Sequence, residues 1–132
     1  TKPPVDFSKI LRILVAEDVA PSRVLLTVML TNLGHNVTAV ENGLEALQIA
    51  SEMPFDLILM DLQMPEMDGV TATQRIRASK GPNRHTRILA VSANADVDGP
   101  NGLAAAGFDD ALLKPIKPER LRFLLNEIVA QI

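Results

Sequence analysis
The most constraining stretch of this chain is Leu57-Ile58-Leu59-Met60, four apolar residues in a row that end on a carboxylate, Asp61. A run without polar alternation reads as a strand covered on both faces, the pattern of a parallel sheet flanked by helices. Pro65, Asp68 and Gly69 then break the chain into a loop. A covered strand that delivers an acid to its carboxyl end is how an open α/β sheet equips its ligand crevice. Taken alone, an Asp after a strand is more often only a residue that caps the loop. Its meaning depends on what the other strands deliver to the same edge.

A second apolar run, Leu11 to Ala16 with Arg12 early, leads directly into Glu17-Asp18. Pro21 and Ser22 open a helix, Pro being tolerated in the first turn. Val24, Leu25, Val28, Met29 and Leu33 recur at helical spacing, and Gly34 stops that helix. His35 to Val40 reads as a short strand. Asn42-Gly43 then turn the chain into a helix carrying Leu44, Leu47, Ile49 and Ala50, ended by Pro54. After the Leu57 strand comes a helix from about Val70 to Ala78, with Ile76 facing inward, and a polar loop over Ser79 to Thr86.

Arg87 to Val91 is a fourth strand finishing at Ser92-Ala93-Asn94. Position makes Asp96 to Ala106 a helix, but Gly99, Pro100, Asn101 and Gly102 weaken it. Interior Gly costs about 1 kcal/mol and interior Pro about 3. Only Leu103 to Ala106 reads as convincingly helical. Asp110 to Leu113 is a fifth strand ending at Lys114-Pro115. Pro118 and Glu119 start a last helix with Leu121, Leu124, Leu125, Ile128 and Ile132 on one face. Strand then helix, five times over with short linkers, predicts a parallel, doubly wound sheet with helices on both sides.

A chain of 132 residues that is 47% hydrophobic is long enough for one domain with its own core. Thr1-Lys2-Pro3-Pro4 opens residues 1 to 9 as a linker, and this start without Met suggests a piece of a longer protein. The domain itself is expected over 10 to 132. No apolar run is long enough to span a bilayer and nothing resembles a secretory signal, so no membrane contact is expected. The absence of Cys excludes disulfides and thiolate chemistry and makes a cytoplasmic setting the simplest inference. A net charge of −3 offers no global attraction to nucleic acid. Arg75, Arg77, Lys80, Arg84 and Arg87, with His85, read as a solvated basic face, with a docking patch for an acidic partner as the alternative.

Glu17 and Asp18 from strand one, Asp61 from strand three, Ser92 from strand four and Lys114 from strand five converge on one sheet edge. Carboxylates brought close together repel, and a divalent cation relieves that repulsion. All candidate ligands are oxygen, which favours Mg2+ over softer metals. Beside such a metal, Asp61 is a competent nucleophile toward an activated phosphoryl group, giving an acyl phosphate. Transfer then needs alignment and neutralisation of the phosphoryl oxygens. Lys114 supplies a charge for that, and the Ser92 hydroxyl a hydrogen bond.

These residues sit in ILVAED (13 to 18), MDLQMPEMDG (60 to 69), VSANA (91 to 95) and LLKPI (112 to 116). In that order and spacing the chain resembles the receiver domain of two-component response regulators, from Ile10 to Ile132. The resemblance implies a flavodoxin-like five-stranded sheet in the order 2-1-3-4-5. It makes Asp61 the phosphoacceptor, Glu17, Asp18 and Asp61 metal carboxylates, and the backbone carbonyl of Gln63 a further ligand. Ser92 becomes the switch hydroxyl, Lys114 the phosphate-contacting lysine, and Lys114-Pro115 a cis peptide. Gln63 and Asn94 occupy the positions that tune acyl phosphate lifetime. Neither is an acid or base, so positioning of water, not general base help, should set that lifetime.

The family usually carries Tyr or Phe three residues before the lysine, where this chain has Ala111. With no ring to swing there and a fourth helix broken by Gly99 to Gly102, the expected signal route is Ser92 and a mobile 94-to-102 segment. The implied partners are a histidine kinase or a histidine phosphotransfer domain, with other domains of a parent chain. The QMPEMDG and EDVAPSR wordings are similar to receivers of hybrid sensor histidine kinases, and a free-standing regulator is the alternative. An Mg2+-dependent aspartyl phosphatase of the haloacid dehalogenase type wants a second acid two residues after its nucleophile, where Gln63 stands. Intact acidic residues and Lys114 disfavour a pure interaction module. The Glu17-Asp18 start of the first loop disfavours flavin binding.

Overall fold
The computed structural model describes residues 9–93 and 99–131. Within them the elements are β1 (Arg12–Ala16), α1 (Ala20–Asn32), β2 (Asn36–Val40), α2 (Gly43–Glu52) and β3 (Leu57–Asp61), followed by α3 (Gly69–Ala78), β4 (Arg87–Ser92), α4 (Gly99–Ala106), β5 (Asp110–Leu113) and α5 (Pro118–Ala130). All strand pairs are parallel and the sheet order is β2-β1-β3-β4-β5, the doubly wound arrangement read from the sequence. No described helix is long and apolar enough to cross a membrane. The tract expected to be a linker lies almost wholly outside the described residues, which begin at Lys9.

Every residue of β3 is buried, because α1 and α5 cover one face of the sheet while α2, α3 and α4 cover the other. Leu57 and Leu59 join Ile13, Val15, Leu89 and Leu121 in the first core. Ile58 and Met60 join Leu14, Ile88, Ala72 and Ile76 in the second. The period of two along each strand thus splits one apolar run between two cores.

Two helix readings are corrected. In α1 the buried residues are Leu26 and Leu30, whereas Val24, Leu25 and Val28 of the expected periodic set are exposed. The helix is apolar nearly all round between Val24 and Leu30, so spacing alone does not select the face that packs. In α4 the helix runs from Gly99, not from Leu103. Pro100 falls on its second residue, where the missing N–H would have had no helical partner. Gly107, at φ 109°, then ends the helix, and Phe108 N–H donates to the Leu103 carbonyl in a Schellman-type closure.

Arg77 also departs from the solvated face assigned to it. Its guanidinium donates to the carbonyls of Gly107 (2.9 Å) and Arg84 (3.0 Å), and pairs with Asp109 at 3.0 Å. It therefore ties the end of α3 to the loops before β4 and β5. Arg75, Lys80, Arg84 and His85 are exposed, as a solvated face requires.

Candidate functional site
Strand order places the ends of β1, β3, β4 and β5 side by side, and four loops meet there. Asp61 is the last residue of β3 and lies in register with Val91 of β4. Glu17 follows β1, its N–H held by the Val40 carbonyl at 3.1 Å. Ser92 closes β4, and its carbonyl accepts the Lys114 N–H at 2.7 Å just past β5. The Lys114-Pro115 peptide is cis. Asp68 caps α3 by accepting the Thr71 N–H, which starts that helix directly beneath the site. A Cβ on Gly69 would stand 2.0 Å from the Asp61 carbonyl oxygen, so the loop closes on Asp61 only with glycine there.

The side chains converge. Lys114 Nζ lies 2.7 Å from Glu17 Oε1 and 3.3 Å from Asp61 Oδ2. Asp61 Oδ1 accepts the Gln63 N–H at 3.3 Å. Glu17, Asp18 and Asp61 each offer one oxygen, all within 4.8 Å of one another. Asp18, Asp61, Gln63, Ser92 and Lys114 line one cleft of about 630 Å³. Glu17 is 1% exposed and Asp61 is 7% exposed, whereas Asp18 is exposed at the mouth.

Burial pushes the Glu17 carboxyl up to about 7, reinforced by Asp61 and opposed by Lys114. Burial also presses the Lys114 ammonium down, but its bond to Glu17 and the negative charge of Asp61 outweigh this and raise it on balance. Glu17 Oε2 is buried with no hydrogen-bond partner. An orphaned carboxylate oxygen is costly unless something supplies positive charge. Three converging carboxylates with one orphaned oxygen therefore fit a hard divalent cation.

A family model for the response regulator receiver domain matches residues 13–126. The chain belongs to that family. This receiver is 39% identical over 124 residues to the signal transduction histidine-protein kinase BarA of Escherichia coli, a match covering 93% of this chain and 13% of that relative's length. Among solved structures it is similar to the receiver domain of the sensor histidine kinase PA1611 from Pseudomonas aeruginosa, which holds a magnesium ion in its active-site cleft. That likeness has a TM-score of 0.83 and 35% identity, and covers 92% of this chain and 98% of the other. A second likeness is to the Saccharomyces cerevisiae co-crystal of the histidine phosphotransfer protein Ypd1 with the receiver of Ssk1. There the TM-score is 0.81 with 26% identity, over 92% and 90% of the two chains.

Glu17, Asp18, Asp61, Gln63, Ser92 and Lys114 all belong to this one corner of the receiver. Ala111 sits in β5 opposite Ala90, half-buried against the core on the α2, α3 and α4 side. Asn94 and the stretch to residue 98 lie outside the described residues, while 99 to 102 form the first half of α4. Arg23 also belongs to this corner, its guanidinium reaching back to the carbonyls of Glu17 and Asp18. Its signal is weak, because its partners are main-chain groups that no side-chain pattern reveals.

Proposed function
We propose that this receiver accepts a phosphoryl group from a phosphohistidine onto Asp61 and then changes its interaction surface. The observation that carries this reading is the Glu17–Lys114–Asp61 cluster, in which a nucleophilic carboxylate shares a buried site with one cation and one orphaned acceptor oxygen. Glu17, Asp18, Asp61 and the Gln63 carbonyl would hold Mg2+. Bound there, the ion supplies neutralisation of phosphoryl oxygens. An Asp61 oxygen attacks phosphorus while the P–N bond to the donor imidazole, protonated on its other ring nitrogen, breaks, leaving an acyl phosphate and a neutral imidazole. Lys114 offsets charge on the transferred group, and the Ser92 hydroxyl donates a hydrogen bond to it. The magnesium in the PA1611 receiver and the pairing of Ssk1 with Ypd1 support a donor of the histidine kinase or phosphotransfer type. Similarity to BarA supports a place in a hybrid sensor kinase, with a free-standing regulator as the alternative, and the absence of Cys suits a cytoplasmic setting.

Incubation with Mg2+ and acetyl phosphate should add one phosphate by intact mass, and Asp61→Asn should abolish the adduct. Sustained phosphate release from many substrates would instead indicate a phosphatase.

The Glu17 carboxyl also predicts how pH acts on metal uptake. In the metal-free protein its pKa stands at about 7, against 4.5 when unperturbed. A raised acid contributes stability that is complete below 4.5 and is lost as pH rises through 7. Mg2+ uptake must expel that proton, so its affinity should climb with pH by up to about tenfold per unit and level off above 7. Calorimetric titrations in buffers of different ionisation enthalpy would register the released proton. An affinity independent of pH between about 5.5 and 7 would refute this.

A further inference from the structure
Three carboxylate oxygens within 4.8 Å repel one another, and two of them ride on the short loop between β1 and α1. Something must hold that loop in place. Val19, at the helix entry, provides no side-chain cap. Arg23 in the first turn of α1 reaches back over the loop instead. Its Nη1 donates to the Glu17 carbonyl at 2.9 Å and lies 3.4 Å from the Asp18 carbonyl. Its Nη2 pairs with Glu41 Oε1 at 3.4 Å. Glu41 is anchored in turn, its N–H donating to Glu45 Oε1 at 3.1 Å. The Arg23 side chain is 18% exposed, low for an arginine.

We infer that Arg23 is a positioning residue for the cation site: its planar fork clamps the main chain of Glu17 and Asp18 so that both carboxylates face Asp61. The inference rests on the cation reading above and adds a residue that touches neither metal nor phosphate. Charge and geometry act in opposite directions here. A guanidinium beside the site repels any dication, so as a bare charge Arg23 would weaken binding. As a clamp it strengthens binding by holding the loop so that the Glu17 and Asp18 carboxylates stay beside Asp61. Mg2+ demands short, rigid octahedral contacts, whereas Ca2+ accepts longer and more variable ones. A loosened loop therefore penalises Mg2+ more than Ca2+, while loss of charge or of overall stability affects the two ions alike. Lysine cannot replace the clamp, because a point ammonium does not span two carbonyls and a carboxylate.

The test is calorimetric titration of wild type, Arg23→Lys and Glu41→Gln with MgCl2 and with CaCl2. Arg23→Lys should lower the Mg2+ affinity by about tenfold, in line with losing an outer-shell support, and the Ca2+ affinity by less, so that the ratio of Mg2+ to Ca2+ affinity falls. Glu41→Gln is an exposed change that keeps the fold and removes the charge from one arm of the clamp, leaving only a neutral amide oxygen to accept from Nη2. It should lower the ratio by about threefold, in line with an exposed ion pair. An unchanged ratio in both variants, with wild type binding Mg2+, overturns the clamp and leaves the cation reading standing. Failure of wild type to bind Mg2+ overturns both.

Discussion
Lys114→Ala should slow acyl phosphate formation on Asp61 by about 10²- to 10³-fold, the usual cost of removing one preorganised charge from a transfer site. The ammonium lies 3.3 Å from the acceptor carboxylate, so it is already in place before a phosphoryl group arrives. The same change should act in the opposite sense on metal uptake. Lys114 is the cation that Glu17 and Asp61 hold in the metal-free protein, and removing it deepens the repulsion that a dication relieves. Tighter Mg2+ binding with collapsed transfer is the signature of a lysine that serves the phosphoryl group. A time course of intact mass with acetyl phosphate, beside calorimetry of Mg2+, reads both. Transfer within about threefold of wild type would show that the metal alone neutralises the phosphoryl oxygens.

The site was legible because its residues announce themselves at strand ends. Apolar runs ending in Glu17-Asp18, Asp61 and Ser92, and a shorter one ending in Lys114, locate the strands and the candidate chemistry at once. Parallel topology then forces those ends together. What escaped was of another kind. The face of α1 was ambiguous because its middle is apolar in nearly every direction, and only the choice between Leu26 with Leu30 and Val24 with Val28 against the sheet resolves it. Arg77 looked like one charge among several, yet it meets carbonyls at Arg84 and Gly107. Arg23 was silent for the same reason, since main-chain acceptors exist at every position and leave no mark in composition.

Asn83 is the extreme case of that silence, and Asn83→Ala should cost about 3–5 kcal/mol of stability. The residue is 1% exposed, in the loop between α3 and β4. Its Nδ2 donates to the carbonyls of Ala50 at 2.6 Å and Met53 at 2.7 Å, at the end of α2. Its Oδ1 accepts the Phe55 N–H at 2.7 Å and lies 3.0 Å from the Thr86 hydroxyl. One amide thus seals a helix end, a connecting loop and the entry to β4. Alanine would leave one buried donor and two acceptors unpaired, at about 1–3 kcal/mol each before relaxation. Against a typical total of about 5–15 kcal/mol, that is a large share. Both loops precede strands, so they lie at the sheet edge opposite the carboxylate cluster. Mg2+ affinity of the folded protein should therefore stay unchanged while the urea midpoint falls. A loss below about 1 kcal/mol would mean that water replaces the amide, and a parallel loss of Mg2+ affinity would mean that the two edges of the sheet are coupled.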